Sequence, residues 1–500
     1  MSRIRKVTLI EPKAPGYHVY SRFPLPRLGL PILGAILKQR GADVTIYCQD
    51  FHPIDYGDVL ASDLVGISTT TSTAPEAYRI ARRVREAGIP VVIGGTHVTF
   101  LPDEALAHAD FCIRGEGEET LPELVDALDA GSGFASIKGL SYKLGDEIYH
   151  NPDRGLVADL NTLPFPDLSL IKGQDRIALD PVITSRGCPY NCSFCSVTPM
   201  FGRACRYRDI DSVIGELRQR TRKMTFFYDD NFCSNRNRTA ELLERMLSEG
   251  VARPWCAQAR ADVARDKELI KLFKRSGCWV LYIGFESASA EALAEYNKRQ
   301  SVDEMVEAVR ILHENRILVH GMFVLGAESD DVGAIRKTVD FAMKLGIDTV
   351  QFMALTPLPG TAYYRGLEQQ GRLLTRDWQL YDGHHVLHQP SRITPYELQR
   401  ETFRAMRRFY SLRECAKMLV GIDFVRFLVR LNWNLARGRW HNAKWQLETR
   451  LRKWVYTAYG HFLIRRIEAA SKEWTKALAD IARRIRHSLK PPPGKVEDNA

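Results

Sequence analysis

The chain has 500 residues, 45% hydrophobic and 26% charged, a composition that excludes a disordered or fibrous protein and suggests about two to four domains. Its formal charge is +10, yet fifteen Lys and Arg against four acids lie between Arg430 and Lys490, so the rest of the chain is close to neutral. No run of about 18 uncharged apolar residues offers a membrane span, no secretory leader precedes the first strand-like segment, and ten cysteines without framework spacing outside one cluster indicate a reducing, cytoplasmic setting.

Up to about residue 150, short apolar runs alternate with helical periods. Strands are predicted at Val7–Ile10, Val44–Tyr47, Leu64–Ile67, Val91–Ile93 and Phe111–Ile113. Helices are predicted at Gly29–Arg40, Pro75–Ala87, Pro102–His108 and Leu121–Ala130. This alternation specifies an α/β fold with a doubly wound parallel sheet over 1–150, whose ligands bind outside the carboxyl ends of the strands. Those ends are rich in glycine and hydroxyls. Ser68-Thr69-Thr70-Thr71 follows the third strand, Gly94-Gly95-Thr96-His97 the fourth and Gly115-Glu116-Gly117-Glu118-Glu119 the fifth. Glycine allows close backbone approach to a ligand, and hydroxyls adapt to donors and acceptors. By themselves such turns fit any flavodoxin-like domain.

A polar, proline-punctuated connector covers 151–180. The apolar Val182-Ile183 then feeds the loop Ser185-Arg186-Gly187-Cys188-Pro189-Tyr190-Asn191-Cys192-Ser193-Phe194-Cys195. Its C-x3-C-x2-C spacing supplies three thiolates, one fewer than a closed four-iron cluster or a structural zinc site uses. One iron of a cluster held there would stay open. The alternatives are a zinc knuckle completed by Cys205, or small buried hydrophobes; zinc motifs usually pair two short hooks, and no second hook appears. Five further strand-then-helix units follow, with strands near Thr225–Tyr228, Trp255–Ala259, Val280–Phe285, Val319–Leu325 and Val350–Leu355. Six such units over 181–390 fit a partial (β/α)6 barrel, with reactive groups at the carboxyl ends of its strands.

Cys188, Cys192 and Cys195, with Phe194 before the third cysteine, resemble the motif of the radical S-adenosylmethionine superfamily. The resemblance implies a [4Fe-4S] cluster whose open iron binds the amino and carboxylate groups of S-adenosylmethionine, and reductive cleavage to a 5′-deoxyadenosyl radical. It further implies that Tyr228, Asp230, Arg260, Glu286 and Ser287, at barrel strand ends, hold S-adenosylmethionine. Asp230 would take its amino group, Arg260 its carboxylate, and the Glu286-Ser287 segment its ribose. For each of these polar residues the alternative is a helix cap or surface salt bridge.

Upstream of such a loop, residues 1–150 resemble the cobalamin-binding domain of cobalamin-dependent radical enzymes. On that resemblance Ser68, Thr69, Thr70, Gly94, Gly95, His97, Gly115, Glu116 and Gly117 are the candidate cobalamin residues, with an ordinary loop role as the alternative for His97. Asp50-Phe51-His52 looks like the start of a cobalt-ligating Asp-x-His-x-x-Gly element, but Asp55 stands where the glycine belongs. His52 is therefore read as a solvated loop histidine. No catalytic acid or base is assigned.

From Pro395 the pattern is helical, with a basic helical region over 391–490 and a disordered tail over 491–500. Five of the eight tryptophans (Trp433, Trp440, Trp445, Trp454, Trp474) share the stretch rich in Lys and Arg. Basic residues opposite Trp, Phe and Leu suit helices lying in a membrane interface. A solvated helical cap is the structural alternative, and nucleic acid, the other acidic partner, is the least favoured. The expectation is a cobalamin-dependent radical enzyme, cytoplasmic and peripheral to the inner face of the membrane. It would methylate an unactivated carbon of an apolar lipid, with a hopanoid methylase as the best-fitting relative and a flavodoxin- or ferredoxin-like electron donor. The rivals are an oxidative cyclase or other porphyrin-modifying radical enzyme, a tRNA-methylthiolating enzyme, and a cobalamin-binding sensor or carrier without catalysis.

Overall fold

The computed structural model describes residues 4–16, 25–420 and 422–488; the 491–500 segment lies outside the described residues. The first sheet has seven strands in the order β2-β1-β3-β4-β5-β6-β7. They are β1 (Lys6–Glu11), β2 (Asp43–Cys48), β3 (Leu64–Thr69), β4 (Val91–Gly95), β5 (Phe111–Ile113), β6 (Leu140–Leu144) and β7 (Glu147–His150). The first five pair in parallel and are buried on both faces, as parallel strands covered by helices are. β6 and β7 add an antiparallel hairpin at the edge, which the sequence reading did not contain. All four residues of β7 are exposed, so it carries no alternation to betray it.

The connector is folded onto the first domain. Leu168, Ile171 and Ile177 join that domain's core, and Lys172 N–H donates to Ile46 C=O at 2.9 Å beside β2. The chain then enters a second sheet through β8 (Asp180–Val182), with β9 (Ser185–Arg186) and β10 (Arg206–Tyr207) as a short antiparallel pair bracketing the cysteine loop. β11 (Thr225–Phe227), β12 (Trp255–Ala259), β13 (Cys278–Glu286), β14 (Leu318–Leu325) and β15 (Thr349–Ala354) complete six parallel strands in sequential order from β8. Helices cover the outside, giving an open (β/α)6 barrel with a large core running from Val182 through Trp255 and Phe273 to Phe352.

Among the described residues five helices follow. Pro395–Phe409 opens with a capping box on Thr394 and buries Leu398, Phe403, Met406 and Phe409 against the barrel. The Tyr410 hydroxyl, just beyond, donates to Val350 C=O at 2.6 Å and accepts from Val350 N–H at 2.8 Å. The last helices are thus tied to β15 as a cap on their inner side. Among the described residues no helix is long and apolar enough to cross a membrane.

Candidate functional site

The two sheets meet at their carboxyl ends across a cavity of about 380 Å³. Its first-domain wall includes Ser68, Thr69, Thr70, Gly94, Gly95, Thr96, Gly115, Glu116 and Gly117 together with Arg27 and the apolar Leu9, Leu30, Leu33, Val92 and Ile113, while Ile183, Arg186, Met200, Phe201, Tyr228 and Asp230 form the barrel side. Eight of the nine cobalamin candidates therefore gather in one place. Gly95 is required there: its φ is +106°, and a Cβ would stand 2.3 Å from Thr69 C=O. A wall that combines bare backbone, hydroxyls and apolar side chains suits a broad, flat group fringed with amides, which can lie against the glycines and exchange hydrogen bonds with Ser68 and Thr70.

His97 is the exception. Its buried ring lies in the domain contact, 5.0 Å from the Trp378 ring, with Nε2 3.3 Å from Glu104. Trp378 Nε1 donates to the same carboxylate at 2.8 Å. The strand-end turn points His97 away from the cavity. His52 is also outside it, its Nδ1 2.6 Å from Pro53 C=O.

Glu116 lines the cavity, but both of its oxygens are engaged by protein. Arg186 Nη1 meets Oε1 at 2.8 Å, Arg206 reaches both oxygens at 2.8 and 2.9 Å, and Val157 N–H donates at 2.7 Å. Arg186 also meets Glu118 at 2.6 Å. These four side chains are nearly buried, and their charges cancel. Because Arg186 is two residues before Cys188, the Gly-Glu-Gly-Glu string clamps the cysteine loop to the cobalamin-type domain. Desolvation works to raise the Glu116 carboxyl, but the two arginines hold it below its ordinary value.

The loop itself turns at Gly187, whose φ is +92° and whose Cβ would meet Ala204 C=O at 2.8 Å. Buried Asp229 pins its start by accepting from Thr184 N–H at 3.1 Å, from the Thr184 hydroxyl at 2.8 Å and from the Ser185 hydroxyl. Cys188, Cys192 and Cys195 are free and half-buried. Burial raises all three thiols, Cys195 to about 12, so metal loading must expel their protons. Among the described residues no three His, Cys, Asp or Glu side chains converge as a single ion requires, whereas the thiolates of a four-iron cluster sit on separate irons. Cys205 directs its thiol at Gly187 C=O, 3.5 Å away.

The remaining candidates surround this loop unevenly. Asp230 faces the cavity, and burial with neighbouring Asp229 pushes its carboxyl up to about 7. Such a group is set to receive a cation. Tyr228 also lines the cavity, donating its hydroxyl to Pro26 C=O at 3.3 Å. Arg260 stacks 3.8 Å over Tyr190 of the cysteine loop and spends Nη2 on the carbonyls of Lys298 and Arg299. Its buried Nε makes no hydrogen bond among the described residues and lies 4.0 Å from Asp262 Oδ1. Glu286 sits at a bulge in the β13–β14 pairing with φ +63°, a left-handed conformation unusual for a side chain of its size. The bulge turns its carboxylate onto buried Lys298 at 2.6 Å. Ser287 accepts from Ser289 N–H at 3.1 Å.

Sequence reasoning missed Asp229, Arg206 and Lys298. No motif surrounds Arg206, and Lys298 follows the short helix Ala290–Glu295 with no motif around it.

Comparison with known proteins agrees with this construction. The B12-binding domain profile matches residues 18–125 and the Radical SAM superfamily profile residues 182–360. An uncharacterised methyltransferase of Pyrococcus horikoshii is 34% identical over 71% of this chain and 81% of its own. The bacteriochlorophyllide d C-12(1)-methyltransferase of Chlorobaculum tepidum is 31% identical over 80% and 87%. The hopanoid C-3 methylase of Methylococcus capsulatus is 27% identical over 83% of each chain. The solved cobalamin-dependent S-adenosylmethionine radical enzyme OxsB shares the fold, with a TM-score of 0.67 at 16% identity over 93% of this chain and 81% of that one.

The chain is a radical S-adenosylmethionine enzyme with a B12-binding domain. It belongs to the cobalamin-dependent radical methyltransferases, whose cofactors are a [4Fe-4S] cluster, S-adenosylmethionine and cobalamin.

Proposed function

We propose that this enzyme methylates a carbon of an apolar polycyclic lipid, of which a hopanoid is the leading candidate. The observation that carries the reading is the cavity shared by the two sheet ends, where Ile183, Met200 and Phe201 adjoin the glycine wall. The cationic groups that line the cavity, Arg27 and Arg186, are already held, Arg27 by Glu11 and Arg186 by Glu116 and Glu118. An anionic substrate group would find no ready partner in them, while an apolar one gains from burial. When bound, the three cofactors supply the electron, the hydrogen-abstracting radical and the methyl group.

The chain's own part is alignment and exclusion of water. Cys188, Cys192 and Cys195 would hold the cluster. Asp230 would receive the amino group of S-adenosylmethionine and the Arg260 Nε its carboxylate, with the Glu286–Lys298 pair fixing the ribose side. Ser68, Thr69, Thr70 and the glycines would seat cobalamin, with Glu116 acting as a clamp.

Two measurements follow. Asp230→Asn weakens S-adenosylmethionine binding roughly 10- to 100-fold, the worth of a hydrogen bond to a charged group, as read by equilibrium dialysis on reconstituted protein. Because a carboxyl raised to about 7 must ionise to receive an ammonium, affinity in the parent protein rises with pH from below to above that value. The Asn variant loses this dependence.

The substrate is tested with methyl-labelled S-adenosylmethionine and by comparing lipid and pigment extracts of cells with and without the gene. Label in a polycyclic lipid supports the reading. Label in a tetrapyrrole overturns it in favour of a pigment methyltransferase, the reading favoured by the 31% identical relative. A ring-closed tetrapyrrole without label establishes the cyclase instead.

A further inference from the structure

The helix Trp440–Ala470 has two apolar sides. Ala443, Thr457, Gly460, Ile464 and Ile467 are buried on its inner side. On the outer side Trp440, Leu447, Leu451, Val455 and Phe462 are exposed, Trp440 by 68% and Phe462 by 60%. At about 100° per residue these five fall within a sector roughly 80° wide, and they extend along about 33 Å of helix. The preceding helix, Ile422–Ala436, also exposes Val425, Val429 and Trp433, spaced by single turns. Large apolar patches of this extent on a protein surface mark a docking site.

The charge around it selects the partner. Over residues 422–470 ten basic residues stand against three acids, and five of the ten lie between Phe424 and Leu447, where there is no acid. All five, Arg426, Arg430, Arg437, Arg439 and Lys444, are exposed, and the Arg437 guanidinium lies 4.0 Å over the Trp433 ring. A second copy of the chain would bring the same positive band against itself. Nucleic acid would satisfy the cations but leave a stripe of Trp, Leu, Val and Phe in water. A bilayer containing anionic lipid satisfies both: the rings and aliphatics enter the interface while the guanidiniums meet the headgroups.

We propose that the helix pair 422–470 is a monotopic docking surface for anionic membranes. It deepens the lipid reading of the substrate, on which it rests only for the idea that the substrate lives in the bilayer. The helix is tied to the barrel through its buried face and through Lys453 Nζ, which donates to Ile347 C=O at 2.9 Å just before β15. Docking by its outer face would therefore hold the barrel at the membrane surface.

The test is flotation of the full-length protein with phosphatidylcholine vesicles, with and without phosphatidylglycerol. Binding to the anionic vesicles is expected to be at least about tenfold tighter than to the neutral ones, and to weaken at high salt. The double variant Trp433→Ser/Trp440→Ser should lose binding about tenfold, with unchanged thermal unfolding and unchanged cleavage of S-adenosylmethionine. Arg430→Gln/Arg437→Gln should lose only the anionic preference. Equal binding to both vesicles, binding to neither, a dimer that shields both tryptophans, or tight binding to RNA each overturns the proposal. The labelled-methyl experiment reports separately on the substrate: labelled lipid without vesicle binding removes the docking surface alone.

Discussion

Exchange of any one of Cys188, Cys192 or Cys195 for alanine abolishes reductive cleavage of S-adenosylmethionine, because two thiolates cannot hold a four-iron cluster with a single open iron. The measurement is iron and sulfide content after anaerobic reconstitution, together with 5′-deoxyadenosine formation. Cys205→Ala is the control. Its thiol addresses the Gly187 carbonyl, so both readouts should stay near the parent values. A zinc knuckle built from the same four cysteines would lose its metal in all four variants, which separates the two readings of the motif.

Arg186→Met should destabilise the protein by about 3–5 kcal/mol, the cost of removing one partner from a buried ion pair. Glu118 would stay buried without its 2.6 Å partner, and Glu116 would retain only Arg206 and the Val157 N–H. A urea titration at neutral pH measures the loss. Arg186→Lys keeps the charge but cannot bridge two carboxylates with one planar fork, so it should lie between the two. Function should suffer in a distinctive way. The clamp joins the cobalamin-type wall to the cysteine loop, so the Lys variant should still form 5′-deoxyadenosine yet yield fewer methylated products for each one formed. A purely structural role would lower both in proportion.

The clamp illustrates what one-dimensional reading can and cannot reach. The string Gly115-Glu116-Gly117-Glu118 was conspicuous, and its glycines do line the cavity. Its carboxylates belong to arginines 68 to 90 residues away, a pairing that no local pattern encodes. Asp230 was legible because a strand end is a defined place in this class of fold. Lys298 was not, because a bulge at Glu286 re-aims one side chain toward a loop beyond the next helix. His97 shows the opposite failure. A histidine at a strand-end turn has two directions open to it, and packing against Trp378, some 280 residues later in the chain, decided between them.

The parallel strands of both sheets were readable from buried apolar runs, whereas the β6–β7 hairpin was not, and its exposed strand β7 offered no such signal. The C-terminal region lay between. Its composition announced basic and aromatic helices, but the outward stripe emerges only once the buried face of Trp440–Ala470 is known.

The central claim is tested most directly by electron paramagnetic resonance of the anaerobically reconstituted, reduced protein, recorded before and after adding S-adenosylmethionine. A three-thiolate site predicts a reduced [4Fe-4S] signal that shifts when the sulfonium ligand arrives at the open iron. A signal indifferent to that ligand, or a loop occupied by zinc, would contradict the account.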